Sequence, residues 1–345
     1  MAIKLGNLDI SSFKVGSADC KVYLGETLLY SGDTPTPPTH DYSLDYLTFV
    51  ATESGTFKFI GNSINYSLDD GNTWTSLESD TNSPTVSAGN KILWKESLTP
   101  TSSNGIGRFS SSGNFTVEGN AMSLLYGDNF VGQTDLSGKD YAFYRLFSGN
   151  TNVTSAENII LPATTLADNC YNGMFYNCKS LTTAPSLPAT NLSGASSCYY
   201  SMFNGCTSLT TAPSLPATTL ESSCYSQMFR NCTSLTTVPS NMLPATTLAQ
   251  NCYTQMFAGC ESLTTAPVLS ATTLATRCYG SMFQNCKNLN SITCLATDMS
   301  AAYCTNGWVR GVASSGTFTK AASMSSWTTG NNGIPSGWTV EDYVS

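Results

Sequence analysis

Between about residues 141 and 305 the chain restates one phrase about six times: C-Y-x-x-M-F-x-x-C-x-S-L-T-T-A-P-x-L-P-A-T-T-L-A-x-x. Clear copies begin at Cys170, Cys198, Cys224, Cys252 and Cys278, with spacings of 28, 26, 28 and 26 residues. A fixed period of this size predicts a solenoid, in which each unit buries its apolar face only against its neighbours. Met174, Phe175, Met202, Phe203, Met228, Phe229, Met256, Phe257, Met282 and Phe283 recur in register and are assigned to the interior column. The Met-Phe segment is expected to form one helical turn or slightly more. Leu181-Thr182-Thr183-Ala184-Pro185 is expected to form a short strand, limited by prolines at 185, 188, 213 and 216. Tyr141-Ala142-Phe143-Tyr144-Arg145-Leu146-Phe147 stands where later copies place C-Y-x-x-M-F, so residues 141–163 read as an atypical first coil. Such folds offer extended surfaces, which points to a binding or structural protein.

Only 11% of residues are charged, and the formal net charge is −8. The 15 basic residues form no stripe, which argues against a nucleic-acid partner. No apolar run approaches the roughly 20 residues of a membrane-spanning helix. The N-terminal Met1-Ala2-Ile3-Lys4-Leu5-Gly6 does not read as a signal peptide. Twelve of the 13 cysteines follow the repeat. Two readings stand for them: buried free thiols, or bridges between equivalent cysteines of adjacent coils. C-x7-C without histidine is not a zinc pattern, and neither metal nor cofactor is expected.

Ahead of the repeats, residues 1–32 set apolar pairs against glycines (Ile3 to Gly6, Phe13 to Gly16, Val22 to Gly25) and read as a small β unit. Asp33-Thr34-Pro35-Thr36-Pro37-Pro38-Thr39 follows, opening an extended linker over 33–40. Residues 41–140 read as an all-β domain, with strand composition at Leu47–Val50, Gly55–Phe59 and Lys91–Trp94. Inside it, Ser67-Leu68-Asp69-Asp70-Gly71-Asn72-Thr73-Trp74 resembles the Asp-box hairpin of sialidase-like β proteins. There the Asp accepts turn N–H groups, the Gly takes a positive φ and the Trp covers the hairpin, a structural role. Residues 305–345, with Trp308, Trp327 and Trp338, read as a C-terminal cap; sugar stacking is the other use open to those tryptophans.

No constellation points to catalysis. His40 is the single histidine and sits at the linker, so no Ser-His-Asp or Cys-His arrangement is expected. Asp69, Glu96, Glu118 and Asp128 carry no signature that separates a glycosidase pair from ordinary loop acids.

The segments Met202-Phe203-Asn204-Gly205-Cys206 and Leu209-Thr210-Thr211-Ala212-Pro213-Ser214-Leu215-Pro216 resemble the BspA-like class of bacterial leucine-rich repeats. The departures are a longer unit, Ala or Val for the first Ile, and the added Cys-Tyr. The layout also resembles surface-display proteins of gut bacteria and their tailed, crAss-like phages, where segments like Lys21 to Tyr30 precede exchangeable outer domains. Together these resemblances imply a mostly β chain with short helices. Its parts are a small N-terminal β unit (1–32), a β-sandwich-like domain (41–140), a leucine-rich-repeat solenoid of about six coils (141–304) and the cap (305–345). They further imply a virion-surface or bacterial-surface protein. Its N-terminal unit would bind other virion proteins through Phe13, Val22, Tyr23, Leu24, Leu28 and Tyr30. The solenoid would bind a host-surface protein or glycan through Tyr200, Gln227, Arg230, Gln255, Arg277 and Gln284, positions that vary from copy to copy. Homo-oligomerisation is compatible with such a layout.

Overall fold

The computed structural model describes residues 40–102, 104–325 and 327–344 in full, and four N-terminal strands by backbone alone. Those strands are β1 (Lys4–Leu5), β2 (Leu8–Asp9), β3 (Lys21–Leu24) and β4 (Thr27–Ser31). They pair antiparallel, β1 with β2 and β3 with β4, within a unit over residues 1–41; residues 42–345 form a second unit. Val22 lies opposite Tyr30 and Tyr23 opposite Leu28, with a register shift between the two pairs. Phe13 and linker residues 33–39 fall outside the described residues.

In the second unit, segments rich in apolar and aromatic residues form β5 (Leu47–Ala51), β6 (Phe57–Gly61), β7 (Ile64–Ser67), β8 (Thr75–Leu77), β9 (Lys91–Lys95), β10 (Gly107–Ser111), β11 (Phe115–Asn120) and β12 (Val153–Ile160). The main sheet runs β12-β11-β5-β9-β7-β8, and β6 pairs with β10 in a separate ladder. Between them lies an aromatic core: Phe49 is 5.4 Å from Phe57 and 4.8 Å from Phe109, and Trp94 is 5.0 Å from Phe109. Described residues contain one α-helix, the four-residue α1 (Ser123–Tyr126). The expectation of short helices in the repeats is therefore corrected.

Each C-Y-x-x-M-F-x-x-C segment is instead a ribbon of overlapping four-residue turns. In the second ribbon (169–178) the N–H groups of Asn172, Met174, Tyr176 and Cys178 donate to the carbonyls three residues back. The intervening N–H groups, from Asn169, Tyr171, Gly173, Phe175 and Asn177, donate to carbonyls of the next ribbon, at Ser196, Cys198, Tyr200, Met202 and Asn204. A helix is excluded because every fourth residue has a positive φ: Asn169, Gly173 and Asn177 here, then Ser197, Ser201 and Gly205 in the following ribbon. A left-handed residue breaks an α-helix. The same triple recurs from 141 to 149 and from 303 to 311, so the ribbon occurs seven times, once more than the cysteine count suggests.

Two side chains in and two out is the consequence. The inward pairs stack on their equivalents in the next ribbon. One ladder runs Phe143, Tyr171, Tyr199, Tyr225, Tyr253, Tyr279, with ring centroids 5.4–6.2 Å apart and planes within 17°. A second runs Phe147, Phe175, Phe203, Phe229, Phe257, Phe283, at 5.2–5.8 Å and within 9°. Such pairs contribute about 0.5–1.5 kcal/mol each beyond the area they bury. The interior methionines are fully buried, as the repeat register predicts. All twelve described cysteines are buried free thiols. The second thiol of each pair donates to a carbonyl of the preceding ribbon, as Cys206 does to Phe175 at 3.0 Å and Cys232 to Phe203 at 3.1 Å.

Because the inter-ribbon N–H groups all point one way, the two ends differ. At the first ribbon the acceptor end meets the β domain: the Phe109 N–H donates to the Leu146 carbonyl at 2.7 Å, and the Phe147 ring lies 5.8 Å from Phe49. At the last ribbon the donor end meets Asn331 and Asn332: Gly307 N–H donates to Asn332 Oδ1 at 2.7 Å and Val309 N–H to the Asn331 carbonyl. Trp308 closes both ladders, 6.3 Å from Tyr279 and from Phe283, and stacks on Trp327 at 5.7 Å. The Trp308 and Trp338 indole N–H groups donate to the carbonyls of Gly333 and Ala313, so both rings are part of the closure. Parallel strands β13 (Ser291–Cys294), β14 (Thr317–Lys320) and β15 (Thr339–Asp342) complete it.

One column shows how tight the ribbon spacing is. Its residues alternate Gly149, Asn177, Gly205, Asn231, Gly259, Asn285, Gly311, all with positive φ. A Cβ at Gly205 would overlap Asn177 Oδ1, and one at Gly259 would stand 2.5 Å from Asn231 Oδ1. Gly205→Ala is expected to cost roughly 2–3 kcal/mol in urea unfolding, whereas Gly149→Ala, which meets nothing within 4 Å, costs about 1 kcal/mol. Adding Asn177→Gly to Gly205→Ala should recover the difference; no recovery would show that the Asn side chain is not the obstacle.

Burial pushes the thiols of Cys170, Cys224, Cys232 and Cys286 up to about 12, and those of Cys198, Cys206, Cys252 and Cys260 well above their ordinary value. Unfolded thiols ionise near pH ~8.5 while the folded ones stay protonated. Their stabilisation is thus complete below that pH and is lost as pH rises towards about 12, at up to ~1.4 kcal/mol per pH unit for each thiol. A urea midpoint falling steeply across that window is expected; a flat profile would contradict thiol burial.

Candidate functional site

The outward pairs of the ribbons make the candidate surface. The two-in, two-out turn pattern turns the fourth, fifth and eighth positions outward and lets them vary, some exposed and some buried as Ser201 and Asn204 are, while the ninth is held to Gly or Asn by the ribbon spacing. Tyr200, Gln227 and Arg230, from the third and fourth ribbons, meet in one groove of about 380 Å³. There the Gln227 amide donates to the Tyr200 hydroxyl at 2.5 Å and the Arg230 guanidinium donates to Gln227 Oε1 at 3.4 Å. Gln255 and Arg277 line a second hollow of about 410 Å³, where the Arg277 guanidinium stands 5.3 Å from the Tyr303 ring centroid. Gln284 is half-buried in the sixth ribbon and lines neither.

Sequence reading missed Arg145, Asn172 and Tyr176, which complete the first groove. Arg145 belongs to the copy without cysteines and spreads its guanidinium over Tyr144 and Tyr176, at 5.2 and 5.8 Å. The signal was present: Arg145 stands in ribbon register with Gly173, Ser201 and Gln227. Gly173, with φ of 61°, forms part of the floor, and a Cβ there would press within 3.2 Å of the Arg145 side chain.

The four carboxylates singled out earlier lie elsewhere and are engaged. Glu118 pairs with Lys91 at 2.6 Å and Asp128 with Lys95 at 2.6 Å, while Glu96 accepts from Asn65 at 2.8 Å. Tyr46 also donates to Asp128; burial above all, then that bond, raises its hydroxyl to about 12. Asp69 accepts from the Thr73 N–H and hydroxyl and from the Ser67 hydroxyl, which holds its carboxyl down to about 2. Gly71 takes φ of 85°, and Trp74 packs edge-on to Tyr46 at 4.9 Å with Lys95 over its face at 4.2 Å. These are the turn contacts expected of an Asp-box-like hairpin. Among the described residues no helix is long and apolar enough to cross a membrane.

No family model, curated protein or solved structure matches the chain.

Outer residues away from the Gly/Asn column should be neutral for folding. Gln227→Ala, Gln255→Ala and Arg277→Ala are each expected to shift stability by no more than ~0.5 kcal/mol, against about 3–5 kcal/mol for Phe229→Ala in the ladder. Urea unfolding of the single and triple variants checks this; a large loss would make the outer residues structural.

Proposed function

We propose that this chain is a non-enzymatic surface-display protein: a virion appendage of a tailed phage, carrying a BspA-like leucine-rich-repeat solenoid that attaches to the host surface. The observation that carries the reading is the contrast between the two sides of each ribbon. Inward positions are nearly invariant Cys, Tyr, Met and Phe, whereas outward positions change from unit to unit (Tyr200, Gln227, Arg230, Gln255, Gln284). A uniform inside with a varied outside is what a rigid scaffold for recognition requires.

The sequence likeness of Lys21 to Tyr30 to phage display segments supports attachment through the N-terminal unit, as does its separation from residues 42–345 as a unit of its own. Val22, Tyr23 and Leu24 on β3, with Leu28 and Tyr30 on β4, remain the attachment candidates, together with Phe13. Weak contacts repeated over several ribbons and several copies would gain by avidity.

Pull-downs of the full chain and of a chain lacking residues 1–40, against purified virions and host cells, test both halves. Loss of virion binding with cell binding retained is the expected result. Cell binding should also weaken in the Gln227→Ala/Gln255→Ala/Arg277→Ala variant at unchanged melting temperature. A full chain that binds particles and never cells is architectural, and the adhesion reading falls.

A further inference from the structure

We infer that the groove between Arg145 and Arg230 binds an acidic oligosaccharide whose sugar carboxylates are held by these two guanidinium groups. The inference deepens the proposed surface-binding role and rests on it. Three observations carry it: unpaired positive charge, aromatic faces, and spacing.

Charge comes first. The chain has a formal net charge of −8, yet no acidic residue lines this groove. Every ion pair among the described residues uses a lysine: Lys58 with Asp80, Lys91 with Glu118, Lys95 with Asp128, Lys287 with Glu261 and Lys320 with Asp342. Arg145 and Arg230 therefore stand without a carboxylate partner among those residues. Arginine, with its planar fork of donors, suits a carboxylate better than lysine does.

The surroundings add the sugar. Arg145 lies against the rings of Tyr144 and Tyr176, which limits its rotamers and leaves donor edges free. Arg230 is tied to Gln227, and Gln227 to Tyr200, so the far end of the groove is also preorganised. Tyr176 and Tyr200 are half-buried and offer apolar ring surface beside hydroxyls. Asn172 and Asn231 supply amide donors and acceptors for sugar hydroxyls. The arginines belong to the first and fourth ribbons, and successive rings of the ladder Phe143, Tyr171, Tyr199, Tyr225 lie 5.4–5.6 Å apart, centroid to centroid. Two arginines that start three ribbons apart suit an extended oligosaccharide with recurring carboxylates better than a single small anion. Phosphate recognition would gather the arginines around one point instead.

The test is calorimetric titration of the full chain with four probes: an oligohexuronate, a sialylated oligosaccharide, the same oligohexuronate with its carboxyls reduced to alcohols, and a phosphorylated oligosaccharide. Binding of one or both acidic probes, weakened about tenfold or more by carboxyl reduction, is the expected result, and the two acidic probes separate the sources. Arg145→Gln with Arg230→Gln should cause a similar loss at unchanged melting temperature. Equal binding of the reduced probe overturns the proposal, as does undiminished binding by the double variant or no binding of either acid. A phosphorylated oligosaccharide that outcompetes both acids overturns the carboxylate class. If the double variant fails to fold, the comparison of acidic with reduced probe on the native chain still decides. Cell binding, measured in parallel, separates the two readings. Cells bound without any acidic probe sinks only the saccharide; probes bound without cells sinks only the adhesion role.

Discussion

Five rows of backbone hydrogen bonds, all pointing from one ribbon to the next, set the terms for the rest of residues 42–345. At each of the six junctions the first, third, fifth, seventh and ninth N–H groups donate forward, and the alternate N–H groups are used within the ribbon. Nearly every polar backbone group of the ribbon interior is thereby satisfied without a helix or a regular strand, as burial demands. The spacing this imposes makes equivalent side chains neighbours. Flat rings then stack face to face, thiols reach the preceding Phe carbonyls, and Asn can stand only above Gly.

A stack with one direction needs two different ends. The β domain meets the acceptor end with a backbone donor, Phe109 N–H, and continues the Phe ladder into its own aromatic core through Phe49 and Phe109. The closing segment meets the donor end with oxygen acceptors from Asn331 and Asn332, and one broad ring, Trp308, ends two ladders at once. A single apolar core accordingly runs from Leu47 to Trp338.

The same geometry fixes what the outer face can do. Backbone positions there are held by bonds to both neighbours, so outward side chains outside the Gly/Asn column can change without disturbing the stack. Left-handed positions tolerate Arg145, Gln227, Gln255 and Arg277 because the neighbouring ribbons over-determine the backbone. A surface of this kind presents side chains at a regular spacing.

Much of this was legible in the chain itself. The 26- or 28-residue period announced stacked units, and C-Y-x-x-M-F-x-x-C announced its buried pairs. Leu47–Val50 and Lys91–Trp94 have the β-branched and aromatic composition of strands, and the Asp-box residues announced their hairpin. The apolar pairs recur every 4 residues, close enough to a helical period to suggest a turn of helix; the small and polar residues at every fourth place, Asn169, Gly173 and Asn177, were the sign of left-handed backbone instead. What the sequence determined was thus the repeat, its inside and its outside. The tertiary structure alone decided the ribbon's direction, its unlike ends and the placing of Arg145 and Arg230 along one groove. Those depend on hydrogen bonds and contacts between units, and no local pattern of residues encodes which way a neighbouring backbone points.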